Sequence, residues 1–178
     1  MIEDKWRNIA GIHFQPGMSG AGAIWLAHDK KADTVHVWDC ALYPTEPPIM
    51  VATALTKHGR WIPIAWEHDA KALCDQLLDR GCNMLPEPVK QTPVQAEAVS
   101  RDIVERMRTG RFKVDKRLAD WLDEYKSFQR EEGLVPLKSH PLMAATRYAM
   151  ANLDYAKVIA PRRSGVDEGI SYPKVAMI

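Results

Sequence analysis

One stretch of this chain, residues 139–150, reads Ser139-His140-Pro141-Leu142-Met143-Ala144-Ala145-Thr146-Arg147-Tyr148-Ala149-Met150. Its small and apolar residues continue without a turn signal, and a proline is tolerated in the first turn of a helix. The stretch therefore predicts a helix that opens at His140-Pro141 and runs to about residue 157.

The first third of the sequence has extended character. Apolar and β-branched residues fill three short segments, which are separated by a glycine-rich turn at 17–20 and a polar turn at 28–33. Such runs, bounded by turn residues, are typical of strands joined in a meander. We predict three antiparallel strands, at residues 8–14, 21–27 and 34–39.

The middle of the chain alternates helical and extended patterns. Helical spacing with matching start and stop residues predicts four further helices, at residues 47–58, 70–80, 94–107 and 118–128. Short extended runs predict strands at 61–66 and 83–86, and Phe112 and Val114 flank a further short extended piece. Asp69 is placed to cap the helix that follows it. Together these elements predict an α/β fold with a mixed central sheet of about five strands, the first three antiparallel, flanked by helices.

Length and composition limit the class of protein. At 178 residues the chain is sized for one domain, which we assign to residues 1–160, with a tail at 161–178 that lacks an apolar period and is predicted to be mobile. The net charge of +1 provides no bulk attraction to nucleic acid. The three cysteines have no metal-finger spacing and no apolar run reaches 18 residues, which predicts a soluble intracellular protein with reduced thiols and no membrane contact.

Four places along the chain, in the same order, carry a resemblance to a known family. They are Ile9-Ala10-Gly11-Ile12-His13-Phe14, Ile62-Pro63-Ile64-Ala65-Trp66-Glu67-His68-Asp69, the segment 104–114, and Ala-Thr-Arg-Tyr-Ala within the last predicted helix. With them the chain resembles the nuclease domain of the terminase large subunit of tailed bacteriophages, which has the ribonuclease H-like fold. The order of predicted strands and helices agrees with that fold.

The resemblance implies a function and a set of partners. It implies a metal-dependent endonuclease that cuts concatemeric double-stranded DNA during genome packaging. The partners would be DNA, an ATPase half, a portal and a small terminase subunit, at the procapsid in the host cytoplasm. No GxxxxGK[ST] phosphate loop occurs in this sequence, so the ATPase half is not part of it, and we expect the isolated domain to be monomeric.

The resemblance also implies where a metal site would lie. Nucleases of this fold hold two divalent ions, Mg²⁺ or Mn²⁺, roughly 4 Å apart on carboxylates. Asp69 stands where the family has a catalytic aspartate, whereas His13 replaces the aspartate of the first strand, and His140 with Pro141 replaces the acidic pair of the last helix. The predicted catalytic and metal-binding residues are Asp69, His13 and His140.

Three interpretations of this residue set remain open. In one, the two histidines and Asp69 bind a softer ion such as Mn²⁺ and cleavage is impaired. In another, nearby acids such as Glu67 or Glu97 supply the missing oxygens. In the third, the domain binds DNA or the portal without cutting.

Basic residues predict a DNA contact after the third long helix. The candidates are Arg108, Arg111, Lys113, Lys116 and Arg117, which are interspersed with acids. Contacts of this kind bind phosphates without sequence preference. A junction-resolving nuclease of the same fold is a further alternative, and it would prefer branched DNA.

Overall fold

A five-stranded sheet organises the part of the chain that the computed structural model describes, residues 5–15, 20–44 and 47–159. Its strands are β1 (Arg7–Phe14), β2 (Ala21–Asp29), β3 (Thr34–Tyr43), β4 (Ile64–Ala65) and β5 (Phe112–Val114). They lie in the order β4-β1-β2-β3-β5. The first three are antiparallel, β4 runs parallel to β1, and β5 runs parallel to β3. The predicted α/β class with a mixed sheet is confirmed.

The helices pack in two groups. They are α1 (Pro48–Lys57), α2 (Lys71–Asp79), α3 (Pro93–Arg108), α4 (Ala119–Ser127) and α5 (Pro141–Ala151), with short 3-10 helices at His68–Ala70 and Leu153–Tyr155. Helices α1 and α2 contact each other, while α3 and α4 both contact α5. Helix α5 lies against β1 and β2, and every residue from Pro141 to Met150 is buried.

Two glycines allow α5 to lie directly on the sheet. A Cβ atom at Gly11 of β1 would come within 2.1 Å of the backbone oxygen of Ala145, and one at Gly22 of β2 within 2.8 Å of Pro141. Side chains of any size at these positions would push the helix away. Gly22 is paired with His13 across the two strands, so the first turn of α5 lies over the end of β1.

The strand predicted at residues 83–86 was wrong. Met84 makes only an isolated parallel bridge with Ile64, and the fifth strand of the sheet is β5, on the opposite edge. The neighbouring β4 is only two residues long and follows Pro63, which has no N–H to donate to a ladder. Because β4 is so short, residues 83–86 find only one residue of it to pair with and do not form a strand.

Two helix boundaries also differ from the prediction. Helix α5 ends at Ala151 instead of residue 157, because the chain turns back and Lys157 exchanges two backbone hydrogen bonds with Asn8, at 2.6 and 3.0 Å. Asp69 does not cap α2: it lies within the 3-10 helix before it, and the cap position is Ala70, which makes no side-chain cap bond.

Several predictions fall on other parts of the chain. Most of the glycine turn at 17–20 and the tail at 161–178 lie outside the described residues. All three cysteines are free thiols, as expected.

Within the three described ranges, none of the helices combines the length and the apolar character needed to span a bilayer.

Candidate functional site at the ends of the first and fourth strands

The imidazole of His13 is fully enclosed near the end of β1. Its exposed fraction is 0%. The strand turns this residue toward α5, as the facing Gly22 shows, and Tyr148 of α5 reaches down to it. A histidine in this position is therefore part of the core and cannot reach solvent without movement of α5.

His13, Glu67 and Tyr148 form one hydrogen-bonded cluster, in which His13 and Tyr148 are buried and Glu67 is partly buried. The Tyr148 hydroxyl donates to Oε2 of Glu67 at 2.8 Å. Nδ1 of His13 lies 3.2 Å from Oε1 of Glu67 and 3.1 Å from the Tyr148 oxygen. Because the tyrosine proton is already directed to Glu67, the geometry requires Nδ1 of His13 to carry a proton and donate it.

The other ring nitrogen of His13 is unusual. Nε2 is buried and has no hydrogen-bond partner among the described residues. With Nδ1 protonated, a neutral ring leaves a lone pair on Nε2, which is the state in which a histidine binds a metal ion.

The electrostatics of the cluster keep its carboxylate ionised. Burial alone would raise the pKa of Glu67, but the hydrogen bond and charge of His13, together with Tyr148 and Lys138, leave that pKa below its usual range. Burial and the Glu67 charge raise the pKa of Tyr148 far above normal. Tyr148 is therefore a permanent donor and Glu67 a permanent acceptor at neutral pH.

Asp69 lies beside this cluster at the surface. Its Oδ2 accepts a hydrogen bond of 2.8 Å from Nζ of Lys138, and its side chain is 68% exposed. Lys138 lowers the pKa of Asp69 through this bond and through its charge. Glu67, Asp69, Lys138 and Tyr148 border one cavity of about 330 Å³, so two of the acids considered from sequence do share a site.

The start of α5 is stabilised by an acid from another helix. Both Leu142 and Met143 donate their backbone N–H groups to Oε2 of Glu124, at 2.9 and 3.1 Å. Burial raises the pKa of Glu124, while these two bonds act in the opposite direction. A carboxylate at this place complements the positive end of the helix dipole.

His140 makes no such contact with the helix it precedes. It occupies the cap position of α5 without a side-chain cap bond. Its Nδ1 lies 2.9 Å from Oγ of Ser139, and its ring packs edge-on against Phe128. His140 is thus held at the surface by its own neighbours.

The donor set does not fit a two-metal centre. Among the described residues, no group of three or more His, Cys, Asp or Glu side chains could hold a metal ion, so His13, Asp69 and His140 do not converge as a ligand set. Each nearby carboxylate already has a protein partner: Glu67 has His13 and Tyr148, and Asp69 has Lys138. Hard divalent ions need several free oxygens, which these carboxylates do not offer while their protein partners are in place.

Glu97, the other acid considered from sequence, lies elsewhere. It is on α3 and forms an ion pair with Arg130 at 2.6 Å. It borders a different cavity, together with Tyr125 and Phe128.

The predicted DNA-contact residues divide into two groups. Three of them form ion pairs: Arg108 with Glu105, Arg111 with Asp33, and Arg117 with Asp115. The other two are exposed lysines for which the described residues provide no ion pair, Lys113 and Lys116.

Sequence reasoning missed Tyr148, Glu124 and Lys138 as members of the site. Tyr148 belongs to the Ala-Thr-Arg-Tyr-Ala run, which carries the resemblance but indicates no partner for the tyrosine hydroxyl. For Glu124 and Lys138 no local signal exists, because their partners lie 18 and 69 residues away along the chain.

Solved structures share this fold. The P22 large terminase nuclease domain matches with a TM-score of 0.79 and 23% identity, over 89% of this chain and 87% of that chain. The g2p large terminase nuclease domain from the bacteriophage SPP1, with bound Mn, matches at 0.65 and 18%, over 82% and 85%. The large terminase nuclease from thermophilic phage G20c, with bound magnesium, matches at 0.57 and 18%, over 85% and 84%.

No family profile matches the chain, and neither does any curated protein. The likeness to solved structures nevertheless covers more than four fifths of this chain in each case. The chain therefore has the fold of terminase large-subunit nuclease domains, and the predicted resemblance is confirmed at the level of the fold.

Proposed function

We propose that this chain is the nuclease-fold domain of a viral DNA-packaging terminase, and that it engages double-stranded DNA while its metal-dependent cleavage is weak or absent. One observation carries the second half of the proposal. The place at the end of β1 where the resemblance calls for an acid holds His13, which is fully buried and bonded to Glu67 and Tyr148. A nitrogen donor enclosed in the core cannot replace a carboxylate that must grip a hydrated divalent ion.

The DNA-binding half of the proposal is supported by charge. The exposed lysines Lys113 and Lys116 follow one another around β5, and neither is neutralised by an acid among the described residues. Free ammonium groups form salt-dependent contacts with phosphates and release condensed counterions. In an assembled motor the partners would be an ATPase half, a portal and a small terminase subunit, in the host cytoplasm.

Binding and cleavage are tested separately. Fluorescence anisotropy with a labelled duplex, in chelator and at graded salt, measures binding. The double variant Lys113→Gln/Lys116→Gln removes two phosphate contacts and should make the negative slope of log K against log salt shallower by roughly 2 units. The control Lys71→Gln/Lys126→Gln removes the same charge from two lysines that are paired with aspartates, and should leave the slope unchanged.

Cleavage is measured as conversion of supercoiled plasmid in Mg²⁺, Mn²⁺ and chelator. We expect binding in chelator together with little or no conversion in either metal. Duplex binding that is absent at low salt would overturn the DNA-handling proposal.

A second candidate function is a cleaving endonuclease in which Asp69 and Glu67 ligate the ion. The observation in its favour is that both carboxylates border the same cavity. Efficient Mn²⁺-dependent conversion that disappears in Asp69→Ala would establish this candidate in place of the first.

A further inference from the structure

Lys138 places a positive charge at the cavity where the resemblance implies a metal site. Its ammonium group lies 2.8 Å from Oδ2 of Asp69, at the cavity that Glu67 also borders. Charge attraction links Lys138 to Glu67 as well, since each shifts the pKa of the other in the direction that favours its charged form. The ammonium group of Lys138 therefore forms an ion pair with Asp69 and also attracts the carboxylate of Glu67.

The loop that carries Lys138 is held in place by the buried side chain of Arg147. Arg147 of α5 is only 2% exposed, and its Nη2 donates to the backbone oxygens of Pro136 and Leu137, at 2.9 and 3.1 Å. The two residues that accept these bonds directly precede Lys138 in the chain. The two hydrogen bonds from buried Arg147 thus fix the backbone just before Lys138 beside the cavity. Exposed lysine–aspartate pairs within one helix, such as Lys71 with Asp75, are not held in this way.

The carboxylates still have acceptor capacity. A carboxylate offers about four lone-pair sites. Glu67 uses sites for His13 and Tyr148, and Asp69 uses one for Lys138. Oxygen ligands for a cation would thus become available if the ammonium group were removed.

We infer that Lys138 is a built-in counter-ion that takes the place of a divalent metal at the cavity bordered by Asp69 and Glu67, and that it prevents metal binding in this chain. The inference rests on the proposed function, because it explains why the nuclease fold would handle DNA without a metal. Removal of the lysine charge should open a cation site at the two acids.

The experiment is a titration of the protein with Mn²⁺ in the absence of DNA, in which isothermal titration calorimetry measures the binding. Wild type should show no saturable binding up to millimolar Mn²⁺. Lys138→Met should gain one saturable site with a Kd at least about tenfold below the weakest binding that the wild-type titration can detect, because a like charge beside the ion is removed. Lys138→Arg keeps the charge and should behave as wild type.

Two controls make the result specific. Lys71→Met breaks an exposed lysine–aspartate pair of the same 2.8 Å length on α2, outside this cavity, and should gain no site. Lys138→Met/Asp69→Asn should lose the site that Lys138→Met gained. Thermal melting of every variant confirms that it is folded.

The inference is overturned if wild type already binds Mn²⁺ as tightly as Lys138→Met, or if folded Lys138→Met gains no site. Duplex binding in chelator is recorded on the same samples. If that binding persists while the calorimetric result fails, the counter-ion idea alone is wrong. If duplex binding is absent, the proposed function fails independently.

Discussion

Replacement of Tyr148 by phenylalanine tests the buried cluster at the centre of the site. The hydroxyl donates to ionised Glu67 at 2.8 Å, and the Tyr148 side chain is 2% exposed. A hydrogen bond to a charged group contributes about 1.5–3 kcal/mol, and its loss leaves a buried acceptor with one donor fewer. We expect the free energy of unfolding to fall by that amount, which corresponds to a drop in Tm of roughly 3–12 °C for a domain of this size.

The assay is urea unfolding at pH 7, with the double variant Tyr148→Phe/Glu67→Gln to measure the coupling. Glu67→Gln should cost less when Tyr148→Phe is already present, with a coupling energy of about 0.5–3 kcal/mol. Tyr125→Phe is the matched control: this tyrosine is 44% exposed with its ring stacked on Trp121, and its change should stay within about 0.5 kcal/mol. Additive losses, or equal losses at both tyrosines, would falsify the cluster as described.

Three further predictions concern the frame of the site and are measured by urea unfolding. Gly11→Ala places a Cβ atom 2.1 Å from the Ala145 oxygen, so α5 must shift and the free energy of unfolding should fall by roughly 1–3 kcal/mol or more. Asp33→Asn removes a carboxylate paired with two arginines, at a cost of about 1 kcal/mol or less because solvent screens the pairs. The side-chain hydrogen bond from one of these arginines is the largest cause that lowers the pKa of Asp33 below 3.8, so this difference from wild type is fully present at pH 7 and disappears as pH falls below that value. His13→Asp sets a second carboxylate, enclosed in the core, beside the partly buried Glu67 and should cost roughly 3–5 kcal/mol.

Each of the three has an outcome that contradicts it. Wild-type stability in Gly11→Ala would mean that α5 does not lie directly on β1. For Asp33→Asn, a difference that grows as the solution is acidified would have the wrong sign for a depressed pKa. Unchanged stability in His13→Asp would mean that residue 13 is not enclosed with Glu67.

The sequence was sufficient for most of the local elements. Strand periodicity and turn residues located β1, β2 and β3 to within a few residues, because alternation and glycine or polar turns are local signals. Helix α3 was located to within one residue at each end from its helical periodicity. The structure adds the capping box of Thr92 and Gln95 at its start. The sequence predicted a short extended piece at 112–114 but not its place as the fifth strand of the sheet, because β5 is only three residues long and pairs with a strand far away in the chain.

For the candidate site, the sequence showed which residue types are present but not where their side chains lie. The replacement of acids by His13 and His140 is visible in the sequence, and so is the persistence of Asp69. The burial and the contacts of these three side chains were not visible in the sequence. His13 is buried, whereas Asp69 is mostly exposed and His140 contacts its own neighbours.

What the sequence determined by itself is therefore most of the helices and strands, the fold class and the loss of acids at the expected positions, because each depends on residue type and spacing. Only the tertiary structure decided which groups meet: Tyr148 with His13 across 135 residues, Glu67 with Tyr148 across 81, and Lys138 with Asp69 across 69. The physical reason is that such pairs arise where α5 and the loop before it pack on the sheet. No periodicity along the chain encodes that geometry.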